Sequence, residues 1–159
     1  MQTILRGATR RFWRVLAATL MLACTAPLAA QVASPEVHTG LVKGVAVGGY
    51  DPVAYFTEHK PVQGRGDILY SWKGVTWRFA SEASRTAFGA NPEKYAPQYG
   101  GYRAYAVSQG GVAKGDPKVW AIVGGKLYLN LSPTVQKLWT KDEAGYIKAA
   151  DKNWPGVLK

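Results

Sequence analysis

The chain has 159 residues and a mass of 17.2 kDa, which is room for one domain. Its single cysteine excludes a disulfide scaffold and a zinc module built on four thiolates. Hydrophobic residues make up 47% and charged residues 19% of the chain, a balance that favours a folded domain over disorder. The net charge of +10 includes four arginines before residue 31. The later basic residues stand singly, which excludes a nucleic-acid-binding stripe.

The first thirty residues have the three parts of a secretory signal peptide. They carry four arginines and no acid, then an apolar run over residues 15–23, and then small residues up to Ala30. This apolar run is far shorter than the roughly 20 residues that span a bilayer as a helix. We therefore expect cleavage after Ala30, a periplasmic protein that begins at Gln31, and no membrane span after cleavage.

Two variants of this export route are also open. Residues 9–14 resemble a twin-arginine export motif, which carries proteins that fold before export. Residues 21–24 resemble a lipobox that would make Cys24 a lipidated N-terminus, although Met21 stands where leucine is usual. If Cys24 leaves with the signal, the mature protein contains no thiol and is indifferent to an oxidising compartment.

The start of the mature chain is predicted from its turn and cap signals. Residues 31–44 contain proline and glycine and few large side chains, which predicts a flexible arm or a segment lying at an edge. Asp51 followed by Pro52 predicts an N-cap with proline at the first helical position, opening a short helix. Residues 59–66 are expected to form a loop.

Two β-hairpins are predicted, each followed by a helix. Aromatic and aliphatic residues alternate on both sides of a two-residue, glycine-containing turn in residues 69–79 and again in residues 119–130. Ser81 and Ser132 are the expected N-caps of the helices that follow. Further helices are expected over residues 92–95, over residues 102–109 and after Asp142.

The two hairpin-helix segments align at an offset of 51 residues. Glycine, aromatic, serine and tyrosine positions recur with the same spacing: Gly74, Trp77, Ser81, Phe88 and Tyr95 correspond to Gly125, Tyr128, Ser132, Trp139 and Tyr146. This spacing indicates a β-β-α unit used twice, but any hairpin followed by a capped helix gives a similar spacing, so both interpretations stay open. Either way, the sequence predicts a small single α+β domain with antiparallel strands.

Four short motifs stand out in the first half of the mature chain: Gly49-Tyr-Asp-Pro-Val-Ala-Tyr-Phe56, Tyr70-Ser-Trp-Lys-Gly74, Trp77-Arg-Phe-Ala-Ser81 and Asn91-Pro-Glu-Lys-Tyr95. In these motifs the chain resembles the YHS domain family. Three later segments, at residues 99–110, 125–130 and 150–155, resemble the exported, free-standing members of that family. The resemblance covers about residues 45–158, with the YHS core at about residues 45–100.

The resemblance implies a metal-handling role, with copper before zinc. Family members attached to copper-transporting ATPases and to some hydroxylases carry two cysteines as metal ligands, and the corresponding positions here hold Ala54 and Ala80. A further cysteine that is common in the exported relatives corresponds to Arg103. Because thiolates make the soft site that Cu(I) prefers, the loss of all three argues against this metal chemistry in the present chain.

Few residues offer metal ligands or catalytic groups. His59 is the metal candidate, but it has only Glu58 beside it, and sites for first-row transition metals need three or four ligands. Asp51 is a candidate ligand-binding carboxylate besides its expected role as an N-cap. The sequence contains no nucleophile motif and nominates no pair of carboxylates, so we expect no catalytic residue and no enzymatic activity.

Arg103 is the third candidate, because it stands close to Tyr99 and Tyr102, which are candidate ligand-binding residues with it. Its guanidinium can clamp a carboxylate or phosphate or stack on a ring, and the alternative is an ordinary exposed arginine on a helix. We therefore expect a non-enzymatic binding or accessory module with no certain cofactor. Its role is the handling of copper or zinc, the binding of a small anionic organic ligand in an aromatic-lined pocket, or a structural partnership with an unknown envelope protein.

Overall fold

The computed structural model describes residues 33–40 and 42–159, which belong to one compact unit. The helices are α1 (Ala54–Thr57), α2 (Glu82–Ala90), α3 (Pro92–Tyr95), α4 (Ala104–Ser108), α5 (Pro133–Trp139) and α6 (Glu143–Asn153). The strands are β1 (Leu69–Trp72), β2 (Val75–Arg78), β3 (Asp116–Val123) and β4 (Lys126–Asn130). These elements confirm the predicted α+β domain. The signal peptide, its cleavage site after Ala30, the twin-arginine motif and Cys24 lie outside the described residues.

The strands pair into two antiparallel hairpins, as the sequence predicted. Strand β1 pairs with β2, and strand β3 pairs with β4, each in a two-stranded sheet. The turns are formed by Lys73-Gly74 and Gly124-Gly125, and all four residues have positive φ. Two successive positive φ values make a type I′ turn, whose twist matches that of the two strands it joins.

Serine side chains begin the helix after each hairpin. Ser81 accepts a hydrogen bond from the backbone N–H of Ser84 at 3.1 Å, and Ser132 accepts one from Val135 at 3.3 Å. A second cap follows each helix at the same offset, Asn91 before α3 and Asp142 before α6. Both segments therefore run hairpin, capped helix, capped helix.

The correspondence extends to residues before the hairpins, where the sequence alignment had not reached. Residues 47–49 form a left-handed turn with φ values of 52°, 59° and 84°, and residues 99–101 form another with 54°, 60° and 82°. Two residues after each turn, a backbone N–H crosses to a later carbonyl: Asp51 donates to Val62 at 2.9 Å, and Arg103 donates to Ala113 at 2.8 Å.

The structure therefore favours a true internal repeat. We call residues 47–95 the first unit and residues 99–146 the second unit. A shared hairpin and helix can arise from ordinary packing, but matching left-handed turns and crossing hydrogen bonds are not required by that arrangement. The ring pairs correspond as well, with centroids 4.9 Å apart for Trp77 and Phe88 and 5.6 Å apart for Tyr128 and Trp139.

Aromatic side chains dominate both hydrophobic cores. The first core is built mainly from the first unit, with Leu127 and Leu129 of β4 packed into it. The second core contains Tyr99, Tyr102, Val107, Tyr128 and Trp139. The hydroxyl of Tyr55 in the first unit donates to the carbonyl of Pro117 in the second at 2.8 Å, so a hydrogen bond as well as packing joins the two units.

The N-terminal segment (residues 33–40) lies against the domain and is not the flexible arm that composition allowed. Val37 is 4% exposed and belongs to the first core. The backbone N–H of His38 donates to Gly100 at 2.8 Å, and that of Ser34 donates to Leu158 at 2.7 Å. Buried apolar area and paired backbone groups hold this segment in place.

Among the described residues, no helix is long and apolar enough to cross a membrane.

Candidate functional site

Asp51 is fully buried, and the prediction that it caps a helix is wrong. Helix α1 begins at Ala54, with Val53 as its N-cap residue and no side-chain capping bond. One carboxylate oxygen of Asp51 accepts from the N–H of Val53, and the other accepts from the N–H of Ala80, each at 2.9 Å. The carboxylate thus ties the turn before α1 to the segment that follows β2.

Asn130 makes the corresponding connection in the second unit. Its side-chain oxygen accepts from the N–H of Tyr105 in α4 at 3.2 Å, and its amide donates to Gln136 at 2.8 Å. Asn130 is fully buried at the end of β4. In both units, a buried polar side chain joins a short helix to the end of a hairpin, although the side chain comes from the helix side in one and from the strand side in the other.

Arg103 is the N-cap residue of α4 and is half-buried, so it is not the exposed helix arginine that was the alternative. Within the described residues, its Nε has no hydrogen-bond partner. The tyrosine hydroxyls near it in sequence are engaged elsewhere: Tyr99 donates to Asp151 and Tyr102 to the carbonyl of Pro35, both at 2.8 Å. Both tyrosine hydroxyls therefore already have acceptors within the protein.

His59 lies exposed in the loop after α1, with a φ of 53°. Its neighbour Glu58 makes an ion pair with Lys60 at 3.3 Å. Among residues 33–40 and 42–159, no group of three histidine, cysteine, aspartate or glutamate side chains is placed to hold a metal ion. His59 thus has no partners with which to build a metal centre of the usual coordination number.

A cavity of about 530 Å³ lies between the two hairpin turns. We call it the aromatic–lysine cavity after the side chains that line it: Trp72, Trp77, Tyr99, Trp154, Lys73, Lys94 and Lys126. Trp72 and Lys73 come from the first hairpin, and Lys126 follows the turn of the second. Its volume is within the range of small-molecule sites, which is about 300–1,000 Å³.

The charges around this cavity favour an anion. Its three lysines outnumber its two carboxylates, Glu36 and Glu93. Lys73 pairs with Glu36 and also lies 4.8 Å above the ring of Trp72. Lys94 lies 5.0 Å from the ring of Tyr95 and, like Lys126, is exposed. The cavity therefore offers aromatic faces and one net positive charge.

Tyr99 contributes a ring to this cavity and not an acid or base. Burial, and then the hydrogen bond to Asp151, raise the pKa of its hydroxyl well above the usual value of about 10. The phenol stays protonated at physiological pH and donates to the Asp151 carboxylate. Of the four residues predicted from sequence to bind a ligand, Tyr99 is the one that lines the cavity.

The family comparison bears on the first unit. Residues 53–99 match the family model described as YHS domain, a stretch that runs from just before α1 to the start of the second unit. The chain contains a YHS domain. No curated protein and no solved structure matches the chain. The second unit lies beyond the matched residues, and its likeness to the YHS domain is in turns, caps and hydrogen bonds.

The YHS domain here does not fit a thiolate metal site. Ala54 is fully buried and Ala80 is half-buried. The Asp51 carboxylate accepts hydrogen bonds from the backbone N–H of Val53, next to Ala54, and from that of Ala80 itself. The resemblance implies sulfur ligands at these two positions, where this chain has methyl groups. Both oxygens of the nearby carboxylate accept backbone hydrogen bonds. A soft metal ion has no soft donor at these positions.

The sequence patterns did not predict the lysines and tryptophans of the cavity as site residues, because these side chains lie on different elements. Lys73 and Lys126 are 53 positions apart in sequence, and only the folded chain brings both to the same cavity. A usable signal was the alignment at an offset of 51, which places the two turns at equivalent positions. Nothing in the local pattern shows that they border one cavity.

Proposed function

We propose that the protein is an exported, non-enzymatic binding module whose aromatic–lysine cavity holds a small anionic organic ligand. The observation that carries this proposal is the meeting of three lysines from separate segments around a cavity lined by indole and phenol rings. A planar anion gains contact with these rings and attraction to the ammonium groups. Export rests on the signal-like composition of residues 1–30, and the N-terminal residue of the periplasmic protein is expected to be Gln31.

Partial enclosure strengthens the attraction between these lysines and an anionic ligand. Exposed ion pairs are screened by salt over about 8–10 Å, but charges beside apolar walls are screened less. The indoles of Trp72 and Trp154 are half-buried, and Trp77 is 1% exposed, so a ligand between them is removed from part of its water. The affinity should therefore fall with ionic strength but not vanish.

The test is a tryptophan fluorescence titration with terephthalate, a planar aromatic dianion. We expect saturable quenching, with Lys94→Met and Lys126→Met each weakening the affinity about tenfold, which is about 1.4 kcal/mol. Lys137→Met, at an exposed lysine of α5 that does not line the cavity, is the matched control and should leave the affinity unchanged. Quenching that does not saturate, or an equal loss in the control, would contradict the proposal.

Copper handling, which the YHS domain suggests, is tested separately. Elemental analysis and copper titration of residues 31–159 are expected to give no tightly bound equivalent, because the described residues offer no set of three ligands. One equivalent of copper bound below micromolar concentration, and lost in His59→Ala, would favour metal handling instead. Recovery of a single envelope protein with the ligand-free domain would favour the structural role.

A further inference from the structure

A second cavity, of about 500 Å³, lies where the two units meet the N-terminal segment. It is bordered by the backbone of four glycines, Gly40, Gly48, Gly101 and Gly115, and we call it the glycine-lined cavity. None of its lining residues lines the aromatic–lysine cavity. The proposed function does not use it.

Close packing excludes a side chain from part of the wall of this cavity. A Cβ atom at Gly115 would lie 2.8 Å from the carbonyl oxygen of Gly101 and 2.9 Å from the Cβ of Leu129, which is too close for any side chain. Gly101 has a φ of 82°, in the region that favours glycine. The wall is therefore bare backbone, and bare backbone lets a ligand approach N–H and C=O groups closely.

The rest of the lining combines aliphatic and polar side chains. Val47, Pro117, Leu129 and Leu131 supply aliphatic surface. The polar groups come from His38, Thr39, Tyr50, Lys114 and Asp116. An apolar lining that carries a small number of polar groups is the usual composition of a small-molecule site.

Lys114 is the cation among the polar residues of this cavity. Within the described residues it makes no ion pair, in contrast to Lys73 in the other cavity. Burial, and then the charge of Lys114, lower the pKa of His38 below its usual value of about 6.5, so its imidazole is neutral at pH 7. Asp116 accepts from the N–H of Lys118 at 2.8 Å. Its carboxyl group lines the same cavity as Lys114, which disfavours a second anionic group on a ligand.

We propose that the glycine-lined cavity binds a small monocarboxylic acid with an apolar body. The carboxylate faces the ammonium group of Lys114, and the apolar body lies against Pro117 and Leu129. This site is independent of the aromatic–lysine cavity, so either proposal can fail without the other.

The experiment is an NMR titration of the protein with 4-phenylbutyrate, followed at the backbone amides of the four glycines. We expect saturable shifts at these amides and at least tenfold weaker binding of 4-phenylbutyramide, the neutral analogue. Lys114→Met should weaken 4-phenylbutyrate at least tenfold. Lys118→Met, at an exposed lysine on β3 outside the lining, is the matched control and should not.

Blocking the cavity gives an independent test. Gly40→Leu should abolish the shifts. If that variant fails to fold, Gly40→Ala serves, because its Cβ would lie at an ordinary distance of 3.6 Å from the Cα of Gly48 and should weaken binding without strain. The proposal is overturned if the acid and the amide bind equally, if no glycine amide shifts at millimolar 4-phenylbutyrate, or if the shifts are confined to residues of the aromatic–lysine cavity.

Discussion

Asp51 shows how one buried side chain can join two parts of a fold. Its two oxygens accept the backbone N–H groups of Val53 and Ala80, which would otherwise be shielded from water without a partner. A buried N–H left without an acceptor costs about 1–3 kcal/mol. The stabilising effect of Asp51 therefore comes mainly from satisfying backbone groups on two separate elements.

Asp51→Ala is expected to lower the free energy of unfolding by about 3 kcal/mol, because it leaves both N–H groups unpaired. Asp51→Asn should lose about half as much, since its amide oxygen can still accept one of the two bonds. Urea denaturation measures both. Asp142→Ala removes an exposed N-cap from α6 and serves as the control, with an expected loss of about 1 kcal/mol. An Asp51→Ala loss no larger than that of Asp142→Ala would contradict this account.

The error at Asp51 has a physical cause. The sequence shows that an aspartate before proline can accept a nearby backbone N–H, and Val53 is indeed its local donor. The other donor, Ala80, lies 29 residues further along the chain. The surroundings of Arg103 and Tyr102 are likewise set by residues distant in sequence.

At the level of helices and strands, local signals were sufficient. Glycine turns, serine and asparagine caps, and apolar periodicity predicted both hairpins and the helices that follow them, because those features act within a few residues. The packed N-terminal segment was not predictable in this way. Its order depends on Val37 entering a core and on hydrogen bonds to Gly100 and Leu158.

The repeat predicts matched effects at its two serine caps. Ser81→Ala and Ser132→Ala should each lower the free energy of unfolding by about 1 kcal/mol, because each removes the acceptor for one N–H at a helix start. Thermal denaturation of both variants checks this. Thr134→Ala, at an exposed position within α5, should change stability little. A loss at only one of the two serines would argue that the units do not use their caps alike.

At the scale of the whole molecule, four tyrosine hydroxyls in the two cores share one property. Burial raises the pKa of each above the usual value of about 10: these are Tyr55, Tyr99, Tyr102 and Tyr128. The unfolded chain therefore releases these protons at lower pH than the folded chain. Their contribution to stability is complete below pH 10 and is lost as the pH rises above it.

Alkaline pH should thus unfold the protein, with tyrosinate absorbance rising together with the loss of structure. Tyr99→Phe should be less stable at neutral pH by about 1 kcal/mol, because it loses the hydrogen bond to Asp151. The same variant should show a shallower loss of stability above pH 10, since one titrating group is gone. Urea denaturation across this pH range measures the slope, and an unchanged slope would contradict the role of Tyr99.

The cavities also belong to this scale, and the sequence could not predict them. Trp72 and Lys126 border one cavity, and Gly48 and Gly115 border another, because folding brings together residues that are far apart in sequence. The sequence did predict the aromatic content and one lining residue, Tyr99. For an anionic ligand it named Arg103 as the anchor, whereas the lysines that line the cavity are Lys73, Lys94 and Lys126.

The hydrogen bond between Ser34 and Leu158 has a consequence for engineering. It places the two ends of the described domain side by side, so a short glycine-serine linker could close the backbone into a ring. The pair Gly110-Gly111 is exposed and has open space beside it, which makes it a suitable place to reopen such a ring. A circularly permuted chain of this kind would keep both hairpins uncut and would present new ends far from the old ones in sequence.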